Sequence, residues 1–203
     1  FFKKIENYQG EITEVRSTEG PLKISEVVDR NPIYEGLFKG ADEIGIPINK
    51  DYNGHEQEGI SYTQTTIFKG ERMSAEVAYL RPIRSRKNLK IITNSLVTKL
   101  IFDGKTCKGV KVKNKNKITD FFAQNEVILC GGAINSPQIL ELSGIGNRSL
   151  LEEKGISLVH ELKGVGENLR DHLGPRLVYN ITKRGISYND NARGVNLIKQ
   201  VLK

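Results

Sequence analysis

Residues 126–146 read EVILCGGAINSPQILELSGIG. The run EVILC, residues 126–130, is almost wholly apolar, the pattern of a strand buried on both faces of a parallel sheet. It ends at Gly131-Gly132, where the missing Cβ atoms let a ligand or another backbone approach closely. A helix is expected over residues 136–142, with Ser136 as its cap, Pro137 in its first position and Ser143-Gly144 as its end. The first N–H groups and the positive dipole end of such a helix suit an anion, most often phosphate. A tight strand-to-helix connection without a ligand explains the same residues equally well. The chain contains neither GxGxxG nor GxxxxGK[ST], so a full phosphate-binding fingerprint is absent.

On the C-terminal side, residues 150–154 form a short expected helix before Gly155, residues 156–160 are strand-like, and residues 163–172 (KGVGENLRDH) are a loop. Residues 196–203 (NLIKQVLK) have amphipathic helical spacing without a stop signal. Position 1 is Phe and the only Met is Met73. These features lead to the expectation of an internal piece of a longer protein.

On the N-terminal side, residues 97–102 and 107–113 alternate apolar and polar around Asp103-Gly104, a hairpin signal. Residues 118–123 are a further expected strand, as are residues 89–93 and 60–68, the latter closed by Lys69-Gly70. A short helix over residues 74–80 has Ser74 as cap and Pro82 as terminator, and Arg72 is expected to make an ion pair there. A longer helix is expected from Pro32 to Ile44. Asn31 caps it, Ile33, Leu37, Ala41 and Ile44 share one face, and Gly45 sits past its end. Asp51-Tyr52-Asn53-Gly54 is a turn. Residues 1–30 are polar and expected to be irregular.

Composition excludes several classes. Of 203 residues, 37% are hydrophobic and 27% charged, a globular balance and not a disordered one. No apolar run is long enough for a transmembrane helix. Two cysteines, Cys107 and Cys130, are too few for a disulfide framework and fit a reducing compartment. A cytoplasmic location is expected, with membrane association left open. Cys130 is expected as a small core residue. His55, His160 and His172 are scattered, so no metal set with usable spacing arises.

The formal charge of +7 is concentrated: residues 81–117 hold 12 Lys or Arg and one acid, Asp103. Lys111, Lys113, Lys115 and Lys117 fall at period two, which places them on one solvated face of a ribbon. Without interleaved aromatics or a nucleic-acid motif, no nucleic-acid partner is expected.

Residues 131–146 closely resemble the second signature of the glucose–methanol–choline (GMC) family of flavin oxidoreductases. Residues 164–172 (GVGENLRDH) resemble another hallmark stretch of that family. DYNGHEQEG (51–59), GERMSAEVAYL (70–80) and RKNLKIITNSLV (86–97) follow its pattern in order. The wording around Asn53-Gly54 and Cys130 to Ala133 is most similar to choline dehydrogenases and related bacterial alcohol dehydrogenases.

The resemblance implies an α/β fold. It would be an incomplete FAD-binding domain of the GMC type, with a buried parallel strand, an antiparallel β-meander and flanking helices, plus the start of a substrate domain. Residues 1–172 would be the rear of the FAD-binding region and residues 173–203 the truncated start of the substrate domain. FAD is the implied cofactor and a small alcohol, choline-like or simple, the implied substrate, with the electron acceptor left open. Val97 matches a position that holds the adenine through main-chain groups. Gly131, Gly132 and Ala133 match the turn that closes on the cofactor. No catalytic residue is expected in the chain, because the family's base, a paired histidine, lies beyond residue 203, and the piece alone is expected to be inactive. His172, beside Asp171, borders the flavin region without being the base. A GMC-type lyase and a non-catalytic module on the same scaffold are the alternatives.

Overall fold

In the computed structural model, which describes residues 1–27, 30–182 and 185–201, the opening segment is more ordered than its polar sequence leads one to expect. Helix α1 (Phe2–Ile5) leads into β1 (Glu6–Tyr8), which pairs in parallel with β2 (Leu22–Glu26). Residues 28–29, at the end of the expected irregular segment, lie outside the described residues. The order comes from Arg16, which is 4% exposed. Its guanidinium reaches Glu6 through Nη2 at 2.6 Å and Nε at 3.1 Å, and Asp51 and Gln64 through Nη1 at 2.6 and 3.0 Å. It also lies 3.7 Å above the Tyr8 ring. A buried cation needs this enclosure, because an unpaired one costs several kcal/mol.

Helix α2 (Pro32–Glu43) forms as expected. The Asn31 side chain accepts from the Ile33 N–H at 3.0 Å, Pro32 begins the helix and Gly45 follows with φ +77°. Such a cap is worth about 1 kcal/mol. The packed face differs from the expected one. Leu37 and Ile44 are 49% and 74% exposed, and Ala41 alone of the expected set is buried. Phe38 stacks on Tyr62 at 4.7 Å and Tyr34 meets the same ring edge-on at 5.8 Å. Aromatic contacts rotate the helix away from its aliphatic stripe.

The expected long strand over residues 60–68 is broken. Ile60 bridges Ile48, β3 (Gln64–Thr65) pairs antiparallel with β2, and β4 (Ile67–Phe68) turns through Lys69-Gly70 into β5 (Glu71–Arg72). Lys69 and Gly70 have φ +50° and +78°, the mirror-image turn that two-residue hairpins favour. The expected helix over residues 74–80 is a π-helical turn, Glu76–Leu80, running into a 3-10 turn, Arg81–Ile83. Pro82 therefore sits inside the second turn and does not end the first. Ser74 Oγ accepts from Val77 N–H at 3.3 Å. The ion pairs here belong to Arg84, which meets Glu76 at 3.4 Å, and to Arg81, which holds Glu71 at 2.8 Å and Glu76 at 3.2 Å. Its hydrogen bonds keep the Glu71 carboxyl below the ordinary carboxylate range.

The next unit is a three-stranded antiparallel sheet, β6 (Leu96–Asp103), β7 (Thr106–Asn114) and β8 (Lys117–Phe122), in the order β6-β7-β8. This is the expected meander, with its first turn at Gly104, φ +57°. A bulge at Thr98 breaks the β6–β7 register, so Val97 faces Val112 and Leu100 faces Val110. Val110 and Val112 share a face, and the bulge thus brings Val97 and the buried Leu100 to that same face. The expected strand over residues 89–93 joins no ladder among the described residues.

Residues 126–130 are a correction. They form no ladder among the described residues, and Ile128 is 72% exposed. Cys130 is exposed and not a core residue. An apolar run becomes a buried strand only when neighbouring strands take up its N–H and C=O groups, and none is placed beside it. Helix α3 (Gly132–Leu142) follows, then β9 (Ile145–Gly146), α4 (Arg148–Glu153) and β10 (His160–Glu161), which pairs in parallel with β9. The strand-like residues 156–160 contribute only His160 to that pair. Leu151, 1% exposed, anchors α4.

The chain returns in α5 (Tyr188–Asn191) and α6 (Gly194–Val201). Helix α6 occupies most of the expected amphipathic helix over residues 196–203, whose last two residues lie outside the described ones. The molecule divides into two compact units, Phe1–Leu89 with Leu177–Lys203, and Lys90–Arg176.

Candidate functional site

The turn at residues 131–133 lies in the second unit, and its geometry departs from the sequence reading in one respect. Helix α3 starts at Gly132, four residues before the expected Ser136. Ser136 is therefore not the cap. Its Oγ instead reaches back to accept from the Gly131 N–H at 3.0 Å, which stabilises the turn. Pro137 lies inside the helix, where it has no N–H for the Ala133 carbonyl one turn earlier. Sequence alone favours Pro at a helix start; the two glycines move that start upstream.

Gly131 is tightly surrounded: a Cβ there would stand 3.1 Å from both Asn135 Cβ and the Ser136 N. Gly132 is the opposite. It has φ +78°, and a Cβ there would meet nothing within 4 Å. The side of Gly132 where a side chain would stand is open space, and the residue adopts a backbone conformation that L side chains disfavour. Gly131, Gly132 and Ala133 are all exposed, and the first N–H groups of α3 have no acceptor within the helix.

A cavity of about 470 Å³ lies between α3 and the loop over residues 163–172. Ala133, Ser136, Pro137 and Glu141 line it from the helix, and Val165 and Glu167 from the loop. The volume is that of an ordinary small-molecule or cofactor site. Val165 is 9% exposed and fixes the loop by packing. Gly166, with φ +81°, passes so close that a Cβ would stand 2.7 Å from Glu141 Oε1.

Of the four expected cofactor-binding residues, Ala133 lines this cavity, and Gly131 and Gly132 precede it in the same turn. Val97 lies apart, on β6, which is an edge strand of its sheet. An edge strand directs alternate N–H and C=O groups away from its partner. One of these is used at once: the Leu100 N–H donates to Ser143 Oγ at 2.8 Å, and Ser143 Oγ donates to the Ile139 carbonyl at 2.6 Å. This hydroxyl, 1% exposed, ties the end of α3 to β6. Sequence reading took Ser143 only as a helix stop; nothing local signals its second partner, 43 residues away.

The histidines do not form an acid–base site. The Asp171 carboxylate accepts from the His172 backbone N–H at 2.7 Å. His55 meets Glu14 at 2.8 Å, with both side chains largely exposed. Among the described residues no group of His, Cys, Asp and Glu is arranged to hold a metal ion, and no helix is long and apolar enough to cross a membrane.

Residues 2–174 match the model of the GMC oxidoreductase family. The chain belongs to that family. It is 40% identical over 173 residues to the mitochondrial choline dehydrogenase of Homo sapiens, covering 85% of this chain and 29% of that protein. It is 44% identical over 178 residues to an oxygen-dependent choline dehydrogenase of Staphylococcus epidermidis, covering 85% of this chain and 31% of that protein. Among solved structures it superposes on an FAD-dependent oxidoreductase from Chaetomium thermophilum with a TM-score of 0.77 at 32% identity, over 84% of this chain and 32% of that one. It also superposes on the pyridoxine 4-oxidase of Mesorbium loti with a TM-score of 0.75 at 29% identity, over 80% of this chain and 32% of that one. This GMC chain thus spans less than a third of the length of these relatives, and the α/β fold read from its sequence is the fold they share.

Proposed function

We propose that this chain forms part of an FAD-dependent oxidoreductase that oxidises an alcohol, either choline-like or simple. The observation that carries the proposal is the convergence of residues 131–146 and 164–172 on one cavity, beside a glycine whose side-chain position is open space. Gly132 leaves room for a bulky planar or phosphate-bearing group against the backbone, and the start of α3 offers N–H donors to its negative charge. We assign Gly131, Gly132 and Ala133 to the dinucleotide, and Val97 to the adenine through main-chain groups on the edge of β6. We likewise assign residues 1–172 to the rear of the FAD-binding region and 173–203 to the start of the substrate domain.

FAD, when bound, supplies a hydride acceptor at flavin N5 for the alcohol's carbinol hydrogen. This chain's residues hold and orient. Ser136 fixes the turn through the Gly131 N–H, Val165 closes the loop against α3, and the two stretches together exclude water from one side of the cofactor. The proton acceptor for the alcohol is assigned outside these residues, since His172 presents its backbone and not its ring to Asp171. The choline dehydrogenases among the relatives support choline as the first alcohol to test.

The test is the visible spectrum of the full-length protein without oxygen. Bound flavin that bleaches on adding choline or another alcohol is expected. A colourless protein, or a flavin unchanged by every alcohol tried, contradicts the proposal, and the second outcome favours the lyase alternative.

A further inference from the structure

Thr98 interrupts the pairing of β6 with β7. Leu96, Val97, Lys99 and Leu100 stand opposite Lys113, Val112, Lys111 and Val110, so Thr98 is the extra residue and stands opposite none. Its side chain crosses to the neighbouring strand, where the hydroxyl donates to the Lys111 carbonyl at 3.2 Å. A bulged residue is left out of the ladder by its backbone; here the side chain ties it back.

The bulge decides where the Val97 main chain points. An antiparallel ladder alternates pairs that exchange main-chain hydrogen bonds with pairs whose N–H and C=O groups point away from each other. Leu100 belongs to the second kind, since its N–H leaves the sheet for Ser143 Oγ at 2.8 Å. Val110 and Val112 are two apart on β7, so the pair of Val97 with Val112 is of the same kind as the pair of Leu100 with Val110. In an unbroken strand, residues two apart point the same way, and Thr98 would share the direction of Leu100 while Val97 turned inward to β7. The extra residue reverses this. Val97 directs its N–H and C=O away from β7, on the side of β6 to which the Leu100 N–H also points. Leu100 is 5% exposed and held by Ser143, so the part of the strand free to change register is the part before it. There the Thr98 hydroxyl is the side-chain bond that opposes a one-residue slip, which would give the Val97 groups to the ladder.

We propose that Thr98 is a positioning residue for the cofactor: its hydroxyl holds the bulge that aims the Val97 main chain at the adenine. This rests on the flavin reading and adds to it a side chain that touches no part of the ligand. The test is a fluorescence titration of the flavin-depleted full-length protein with FAD and, separately, with FMN, which has the flavin and one phosphate but no adenine. Thr98→Val keeps the branched shape without the hydroxyl, and it weakens FAD binding about three- to tenfold, the effect of one net hydrogen bond. Thr98→Ser keeps the hydroxyl and recovers most of that loss. FMN binds Thr98→Val and the wild type alike; where neither takes up FMN, the Thr98→Ser titration decides. A merely structural role predicts a different result, since a loosened sheet weakens both flavins by the same factor. Equal losses for FAD and FMN, or no recovery in Thr98→Ser, overturn the proposal. Undiminished FAD binding by Thr98→Val removes this inference and leaves the flavin reading standing, whereas no FAD uptake by the wild type removes both.

Discussion

Tyr8 is 2% exposed, and its ring lies under the Arg16 guanidinium with its hydroxyl near Glu26. Burial first, and then the charges of Glu26 and Asp51, push its pKa up from 10.0 to about 12. The folded state thus holds this proton more tightly than the unfolded chain. Below pH 10 the contribution to stability is fully present, and it is lost as pH rises toward 12. A spectrophotometric tyrosine titration should show one phenol ionising near pH 12, and Tyr8→Phe should remove that step and flatten the fall in stability over the same range. A titration in which every tyrosine ionises near its ordinary value would contradict this. Local signals made some residue roles legible. Asn31 before Pro32, Gly45 after the helix and Lys69-Gly70 at the close of a strand each cap or turn the chain within a few residues, although the Asn31 amide also donates to the Ile186 carbonyl at 2.9 Å, 155 residues away, a partner that no local signal states. Arg16 was not legible, because its partners Glu6, Asp51 and Gln64 lie 10, 35 and 48 residues away and follow no spacing rule.

Elements whose partner is the next element in sequence were read well. The β6–β7–β8 meander and α2 lie within a residue or two of their expected bounds, because a hairpin turn or a cap states where each begins. Elements that need a distant partner were misread. Residues 126–130 carry a buried-strand pattern, but that pattern specifies a requirement for neighbours and does not supply them. The bulge at Thr98 also went unread, although it decides which face Val97 shares. Ser143 is a joint of this kind. Replacing it by Ala leaves the buried Leu100 N–H without an acceptor, at a cost of about 1–3 kcal/mol. Chemical denaturation should record that loss, together with faster amide exchange at Leu100. An unchanged midpoint would mean that α3 is held to β6 by other contacts.

At the scale of the molecule, the GMC family was legible because short motifs recur in a fixed order along most of the chain. The site was legible in part. The glycine turn and the 163–172 loop were both singled out, but their meeting around a cavity appears only in three dimensions. The start of α3 was misplaced because Ser136 and Pro137 imitate a helix beginning. The central claim is that this turn receives a dinucleotide, and FAD titration of the flavin-depleted full-length protein, followed by fluorescence, tests it most directly. The account predicts one FAD per chain. Gly132→Val should weaken binding by about tenfold or more, equivalent to ~1.4 kcal/mol. Gly40→Ala, at an open position in α2, should bind as wild type. No uptake of FAD by the wild-type protein, or undiminished affinity in a folded Gly132→Val variant, would contradict it.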